Sequence, residues 1–282
     1  MASNVTKAYA HGEMRVDTPV ATPPSTPTPT AITAHGLHHE IRSIHQQLSP
    51  LKSLAPCELV NNLLTRLVSL CIEPYSTDIV EHFVRIDGVK TLCHDLQSLC
   101  ATAEGELERH WAQSILTAAP SNTNPARAQN LVPAPPLTSL CLLTHFPTAT
   151  IHNIDRDARA LALSSALTQK LGCAARMTFS CEDATETEKG TTDWAALDVV
   201  FLAALVGMRS TEKVGVLRGL ARRLRPGTVV VCRSARGMRG VLYPVLELSE
   251  ELHSAGFEVL AEMHPWTDVV NSVVVLRVKQ RV

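Results

Sequence analysis

The stretch Asp198-Val-Val-Phe-Leu-Ala-Ala-Leu-Val-Gly-Met208 constrains the fold more than any other part of this chain. A continuous apolar run of that length, opened by an acid and closed by Gly207, predicts a parallel strand over 198–205 buried on both faces rather than an amphipathic helix. In open α/β sheets ligands sit just beyond the carboxyl ends of such strands, so the chemistry is expected immediately after it. Two further acids, Asp155 and Asp183, also follow predicted strands. An ordinary core strand with an inert turn is the alternative for the run taken alone.

The elements around it alternate. A short helix over 137–146 and a strand over 150–154 lead to a helix over 158–171, a strand over 177–181 and the run itself. A helix over 212–224 then ends at Arg225-Pro-Gly227 and leads into a strand over 228–233. That alternation predicts a parallel sheet with helices on both faces. Two final strands, 258–264 and 272–278, have no helix between them and predict an antiparallel hairpin closing one edge. Upstream, Leu63, Leu67 and Cys71, and then Leu92, Leu96, Leu99, Ala103, Leu107 and Trp111, recur at helical spacing, so a helical subdomain precedes the sheet. The predicted division is a disordered Thr/Pro-rich tail over 1–34, helices over 35–118, a Pro-rich connection over 119–136 and an α/β domain over 137–282. The tail holds Thr-Pro-Pro-Ser-Thr-Pro-Thr-Pro-Thr at 22–30, too poor in apolar surface to offset the entropy of ordering.

Bulk properties exclude several classes. At 282 residues and 45% hydrophobic the chain can bury a large core, and its formal net charge of −1 disfavours a general nucleic-acid binder. The basic group Arg222-Arg223-Leu224-Arg225 reads as a cationic helix end. The eight cysteines are scattered with no Cys-x-x-Cys pair, which signals neither a disulfide framework nor zinc and makes a reducing compartment the default. His35, His38, His39 and His45 cluster without partners at metal-ligand spacing, so no protein-bound metal is expected. No run is long enough for a membrane span, and the first residues lack a secretory pattern; a soluble, cytoplasmic protein is expected. Oligomeric state is left open.

Four carboxylates suggest chemistry. Asp155 can accept hydrogen bonds from both ribose hydroxyls of a nucleoside cofactor, and Asp183-Ala184 can face an adenine amino group; each could equally be a helix cap. Glu104 and Glu108 stand at i, i+4 on one helix face, with Glu106 turned away; most such pairs are solvated surface, and the spacing by itself does not make this one catalytic.

Several strings together resemble the nicotianamine synthase family: Asp198–Met208, Arg233-Ser-Ala-Arg-Gly237 with Leu242-Tyr-Pro-Val245, His152-Asn-Ile-Asp-Arg-Asp157, Pro136-Leu-Thr-Ser139, and His264-Pro-Trp-Thr-Asp268 through Asn271-Ser-Val-Val274. In the helical region Leu63-Leu-Thr-Arg-Leu-Val68, Cys71, Leu99-Cys100 and Ala103-Glu104-Gly105 with Leu107-Glu108 match as well. The resemblance covers roughly 38 to 278. It implies a doubly wound Rossmann-like fold of S-adenosylmethionine-dependent transferases behind a helical subdomain, and a small-molecule reaction that moves the aminocarboxypropyl group of S-adenosylmethionine onto an amine, three units giving nicotianamine with release of methylthioadenosine. By the same resemblance Glu104 is the base, with Glu108 second choice. Asp155, Asp183, Ala184, Ala203 and Leu205 then line the cofactor; Arg233, whose guanidinium fork suits a planar carboxylate, is a candidate to hold a substrate carboxylate, with a helix-end or surface ion pair as the alternative, and Tyr243 and His264 are candidate pocket walls, with a structural role the alternative for each. A methyltransferase on the same scaffold is disfavoured because the matches extend into the N-terminal helices; a non-catalytic binding or regulatory relative is the other alternative.

One departure stands out. Between Trp111 and Pro136 the family carries a longer segment with a Phe-Pro-Tyr-Tyr-type motif, the first sheet strand and a Gly-Ser-Gly-Pro turn. This chain has Val132-Pro-Ala-Pro-Pro136 there, and no tyrosine between Tyr75 and Tyr243. Proline removes an N–H and lacks glycine's conformational freedom. Either the sheet is rearranged around a missing central strand, or the sequence is an incorrectly spliced form with impaired activity.

Overall fold

A computed structural model describes residues 28–118, 137–186, 190–203, 206–207, 209–265 and 269–280. Four helices come first: α1 (Pro29–Leu48), α2 (Glu58–Ile72), α3 (Thr77–Arg85) and α4 (Val89–Thr117). Helix α1 starts earlier than the composition of the tail predicts. Thr28 caps it, its Oγ1 accepting from Ala31 N–H at 3.2 Å, and Pro29 occupies the first turn, where a missing N–H costs nothing. The end of the Thr/Pro string is therefore a helix start, and residues 1–27 lie outside the described set. Ala34, Leu37, Ile41, Ile44 and Leu48 then form one buried stripe. Leu51 and Leu54, though in phase with that stripe, lie past its end. Helix α3 escapes the periodicity because one of its nine residues, Phe83, is fully inside.

The four helices do not close on themselves. Their core, with Leu67, Cys71, Phe83 and Leu96 among its members, also takes in Ala235, Met238, Val241, Leu242 and Tyr243 from beyond the helical segment. Buried Gln97 fastens the join, its Nε2 donating to Gly240 O at 2.7 Å. The long α4 continues past that core, where Trp111, Ala112 and Ile115 pack on Leu163, Leu167 and Leu171. Lys170 Nζ donates to the carbonyls of Leu116 and Ala118 at the end of α4, satisfying acceptors that a helix C-terminus leaves free.

The α/β region follows as α5 (Leu137–His145), β1 (Ile151–Asp155), α6 (Ala158–Lys170), β2 (Met177–Cys181), β3 (Val199–Leu202), α7 (Ser210–Arg223), β4 (Val229–Ser234), a 3-10 turn at Gly237–Val241, α8 (Glu250–Ser254), β5 (Phe257–Met263) and β6 (Ser272–Val278). Pairs β1–β2 and β3–β4 are parallel, while β6 runs antiparallel to both β4 and β5. The predicted alternation and terminal hairpin are thus present. Asp157 caps α6 by accepting from Arg159 and Ala160 N–H, and the cationic end of α7 is held by Arg223 stacked 4.2 Å from the Trp194 ring and by Arg225 paired with Asp198 at 3.0 Å.

The strands do not form one sheet. They separate into β1-β2 and β3-β4-β6-β5, and among the described residues no strand joins β1 to β3. This corrects the expectation for the apolar run. Strand β3 is four residues long, and Val199 and Phe201 are each 47% exposed, whereas Leu202 is buried. A parallel strand is covered on both faces only when neighbouring strands bring their helices with them. With β4 as its one strand neighbour among the described residues, β3 buries Leu202 in the cluster it shares with Val214 and Leu217 of α7 and leaves Val199 and Phe201 exposed.

Candidate active site

The candidate site is built on α4, the end of β1, β4 and the turn after β4. One helical turn separates Glu104 from Glu108, so both carboxylates leave the same face of α4. The phenol of Tyr243 donates to Oε1 of Glu104. Burial pushes Glu104 up from the ordinary 4.5 to about 7; Arg233 opposes that rise and Glu108 adds to it. Burial likewise raises Glu108, with Arg233 again opposing and Asp155 adding. Five residues singled out from the sequence, Glu104, Glu108, Asp155, Arg233 and Tyr243, are therefore within electrostatic or hydrogen-bonding reach across four separate segments. A carboxyl group poised near neutrality beside a guanidinium can take a proton from an ammonium while a second anion is held close by.

Asp155 ends β1, and its Oδ1 accepts from Asp157 N–H at 2.8 Å. Asp183 Oδ1 is engaged by Thr185 Oγ1 at 2.7 Å and Thr185 N–H at 2.8 Å, and those bonds hold it below the usual carboxylate range. One of its two oxygens is thus committed to the turn. Ala184 lends its carbonyl to Arg223 at 3.1 Å and packs against the β3–β4 core. The carbonyl of exposed Ala203 accepts from Val206 N–H at 3.2 Å in the turn after β3; Leu205 lies outside the described residues. His264 is held within the terminal hairpin, its Nδ1 sharing a hydrogen bond with Ser272 Oγ at 2.8 Å and its Nε2 lying 3.0 Å from Glu262 Oε1.

Sequence reasoning missed Lys213. It is wholly buried in the first turn of α7, and burial lowers it to about 8. Gly207, at φ +75°, lies so close that a Cβ there would meet the Lys213 backbone at 2.7 Å, so the loop beyond β3 is clamped on the helix. A buried lysine leaves no periodic signal that could have revealed it. A separate cleft of about 330 Å³ opens between α3, α4 and residues 237–245, lined by Val89, Cys93, Gln97, Met238 and Val245; none of the five clustered residues borders it. Among the described residues no group of three or more His, Cys, Asp or Glu is arranged to hold a metal ion.

Helices joined to parallel βα units and finished by an antiparallel pair, with acids at the strand ends, define a Rossmann-like domain of the S-adenosylmethionine-dependent transferase class. A family profile described as nicotianamine synthase protein matches residues 33–134 and 121–282. The chain belongs to the nicotianamine synthase family. Nicotianamine synthase 3 of Oryza sativa subsp. indica is 36% identical over 277 residues, covering 86% of this chain and 78% of the relative. Nicotianamine synthase 2 of Arabidopsis thaliana is 35% identical over 270 residues, covering 84% and 82%. The structure of MtNAS in complex with MTA and tNA superposes with a TM-score of 0.69 at 17% identity, covering 88% of this chain and 99% of that one. A glutamate-to-glutamine variant of MtNAS in complex with S-adenosylmethionine gives 0.68 at 17% identity, covering 86% and 98%. At that identity the two structures speak for the fold alone.

Proposed function

We propose that this protein makes nicotianamine from S-adenosylmethionine, with Glu104 as the base. The observation that carries the residue assignment is the Glu104 carboxyl, pushed to about 7 by burial while it receives the Tyr243 phenol and faces Arg233. In each transfer the acceptor ammonium gives a proton to Glu104. The freed amine attacks the γ-carbon beside the sulfonium, that carbon–sulfur bond breaks, and its electron pair leaves on sulfur as the thioether of methylthioadenosine. Arg233 holds the carboxylate of an aminocarboxypropyl unit by its guanidinium fork, and Glu108 attracts the incoming cation. Asp155 accepts from the ribose hydroxyls, and Asp183 and Ala184 border the adenine. Ala203, in the turn after β3, borders the cofactor, and Tyr243 and His264 stand on the substrate side; Leu205 is assigned to the cofactor by the family resemblance alone.

The substrate is a small molecule; neither nucleic acid nor membrane enters this reading, and the protein acts in the cytoplasm. Eight free cysteines support a reducing compartment, and among the described residues no helix is long and apolar enough to cross a membrane. Family membership leaves the methyltransferase alternative without support.

Incubation of the purified protein with S-adenosylmethionine tests the reading. Methylthioadenosine and nicotianamine are the expected products. S-adenosylhomocysteine in their place, or bound and unconverted S-adenosylmethionine, refutes it.

A further inference from the structure

The nucleoside side of the site and Arg233 stand on different strand groups. Asp155, Asp183 and Ala184 follow β1 and β2, which pair with each other, whereas Arg233 belongs to β4 in the four-stranded group. A ligand that reaches both needs them held in one geometry. Arg223, the last residue of α7, links the two groups. Its guanidinium lies 4.2 Å from the ring centre of buried Trp194, and its Nη2 donates to the Ala184 carbonyl at 3.1 Å. Its Nε is buried with no hydrogen-bond partner among the described residues. An arginine that only closes a helix end keeps its whole fork in water. This one gives up hydration at Nε to lie on the indole, and the stack fixes the plane from which Nη2 points at Ala184.

The contacts close a ring around the turn after β2. Glu182 Oε1 accepts from Thr191 N–H at 2.9 Å and from Thr192 N–H at 3.0 Å. Trp194 N–H donates to the Thr192 carbonyl at 3.0 Å, Trp194 carries Arg223, and Arg223 returns to Ala184. Inside the ring Asp183 gives Oδ1 to Thr185, which leaves Oδ2 and the Ala184 N–H without a partner among the described residues. A carboxylate oxygen beside an N–H matches adenine, whose 6-amino donor adjoins the N1 acceptor. Hypoxanthine presents the reverse pair, a 6-oxo acceptor beside N1–H.

We propose that Arg223 is a positioning residue for base recognition: its fork, stacked on Trp194 and bonded to the Ala184 carbonyl, holds the turn after β2 so that a 6-amino purine is preferred over a 6-oxo purine. The inference rests on the reading that Asp183 and Ala184 border the adenine. Arg223 acts through Ala184 and makes no contact with the base itself.

Calorimetry of the full chain against methylthioadenosine and its 6-oxo analogue, methylthioinosine, tests this on wild type and on Arg223→Met, which removes the guanidinium and keeps an unbranched stem. Wild type is expected to favour methylthioadenosine by about tenfold or more, since a site built to bond the amino edge leaves its own groups unpaired against the analogue. Arg223→Met narrows that preference to about twofold or less through weaker methylthioadenosine binding, and it still tells adenosine from 2′-deoxyadenosine, a distinction made at Asp155. Parallel weakening of every ligand with the base preference intact marks a general loosening of the fold and overturns the inference. A wild-type preference kept by Arg223→Met, or by Arg223→Lys, which has the charge without the planar fork, overturns it as well and leaves the adenine reading standing. A wild type indifferent to the 6-position removes the adenine reading, and the inference falls with it.

Discussion

The phenol of Tyr243 is hydrogen-bonded to Oε1 of Glu104, joining residues 139 positions apart in sequence. It unites the turn after β4 with the middle of α4, and it places a neutral donor on the carboxylate that burial raises most toward neutrality.

Glu104→Gln is expected to abolish methylthioadenosine formation while leaving S-adenosylmethionine binding within about twofold, since the amide is isosteric and the nucleoside contacts lie elsewhere. In the wild type kcat/KM is then expected to rise with pH and to level above about 7, the value to which burial raises Glu104. Turnover by the variant at more than a few per cent of wild type removes Glu104 from the mechanism.

Stability should show the same group with a definite sign. A carboxyl raised from the ordinary 4.5 to about 7 in the folded state favours folding below the lower value, and that contribution is lost as pH climbs to the higher one. Glu104→Gln therefore gains on wild type between those limits, by on the order of 1–3 kcal/mol at pH 8. Urea melts of both proteins at pH 5 and pH 8 measure the difference; a constant offset contradicts it.

Tyr243→Phe deletes the donor that favours the ionised carboxylate. The acid limb of the pH–rate profile should move to higher pH, and stability should change by about 1 kcal/mol. A profile that keeps its inflection would show that the phenol does not bear on the titration of Glu104.

Asp155→Ala should weaken methylthioadenosine binding by about 1.5–3 kcal/mol, the loss of a charged acceptor from ribose hydroxyls. Calorimetry against adenosine and 2′-deoxyadenosine separates this contact from a fold defect: wild type discriminates between them and the variant does not.

Gly207→Ala should lower Tm by several degrees. The residue sits at φ +75° and the added carbon meets the Lys213 backbone at 2.7 Å, so conformational strain and overlap add to about 2–4 kcal/mol. An unshifted melt would mean that the loop beyond β3 is not clamped on α7.

Local pattern carried much of this fold. Strand 177–181 and helix 158–171 were legible because period-2 and period-3.6 runs there are bounded by caps and glycines, and α4 because Leu92, Leu96 and Ala103 hold phase over many turns. The start of α1 was not, because Thr28 and Pro29 look like tail composition until a buried stripe follows them. Glu104, Glu108, Asp155, Arg233 and Tyr243 could each be singled out, the first two by spacing and all by resemblance to known strings. Lys213 could not, since nothing in a solvent-type residue announces that the chain will enclose it.

What the sequence determined by itself is the order and type of most elements, which depend on interactions within a turn or a strand, together with the family and the chemical identity of the clustered side chains. Tertiary structure decided the rest. The raised Glu104 carboxyl exists because α4 is buried against segments more than a hundred residues away, and the exposed Val199 and Phe201 follow from which strands β3 does and does not adjoin. Burial and neighbouring charge are properties of packed volumes, and a linear pattern specifies them only once every partner has taken its place.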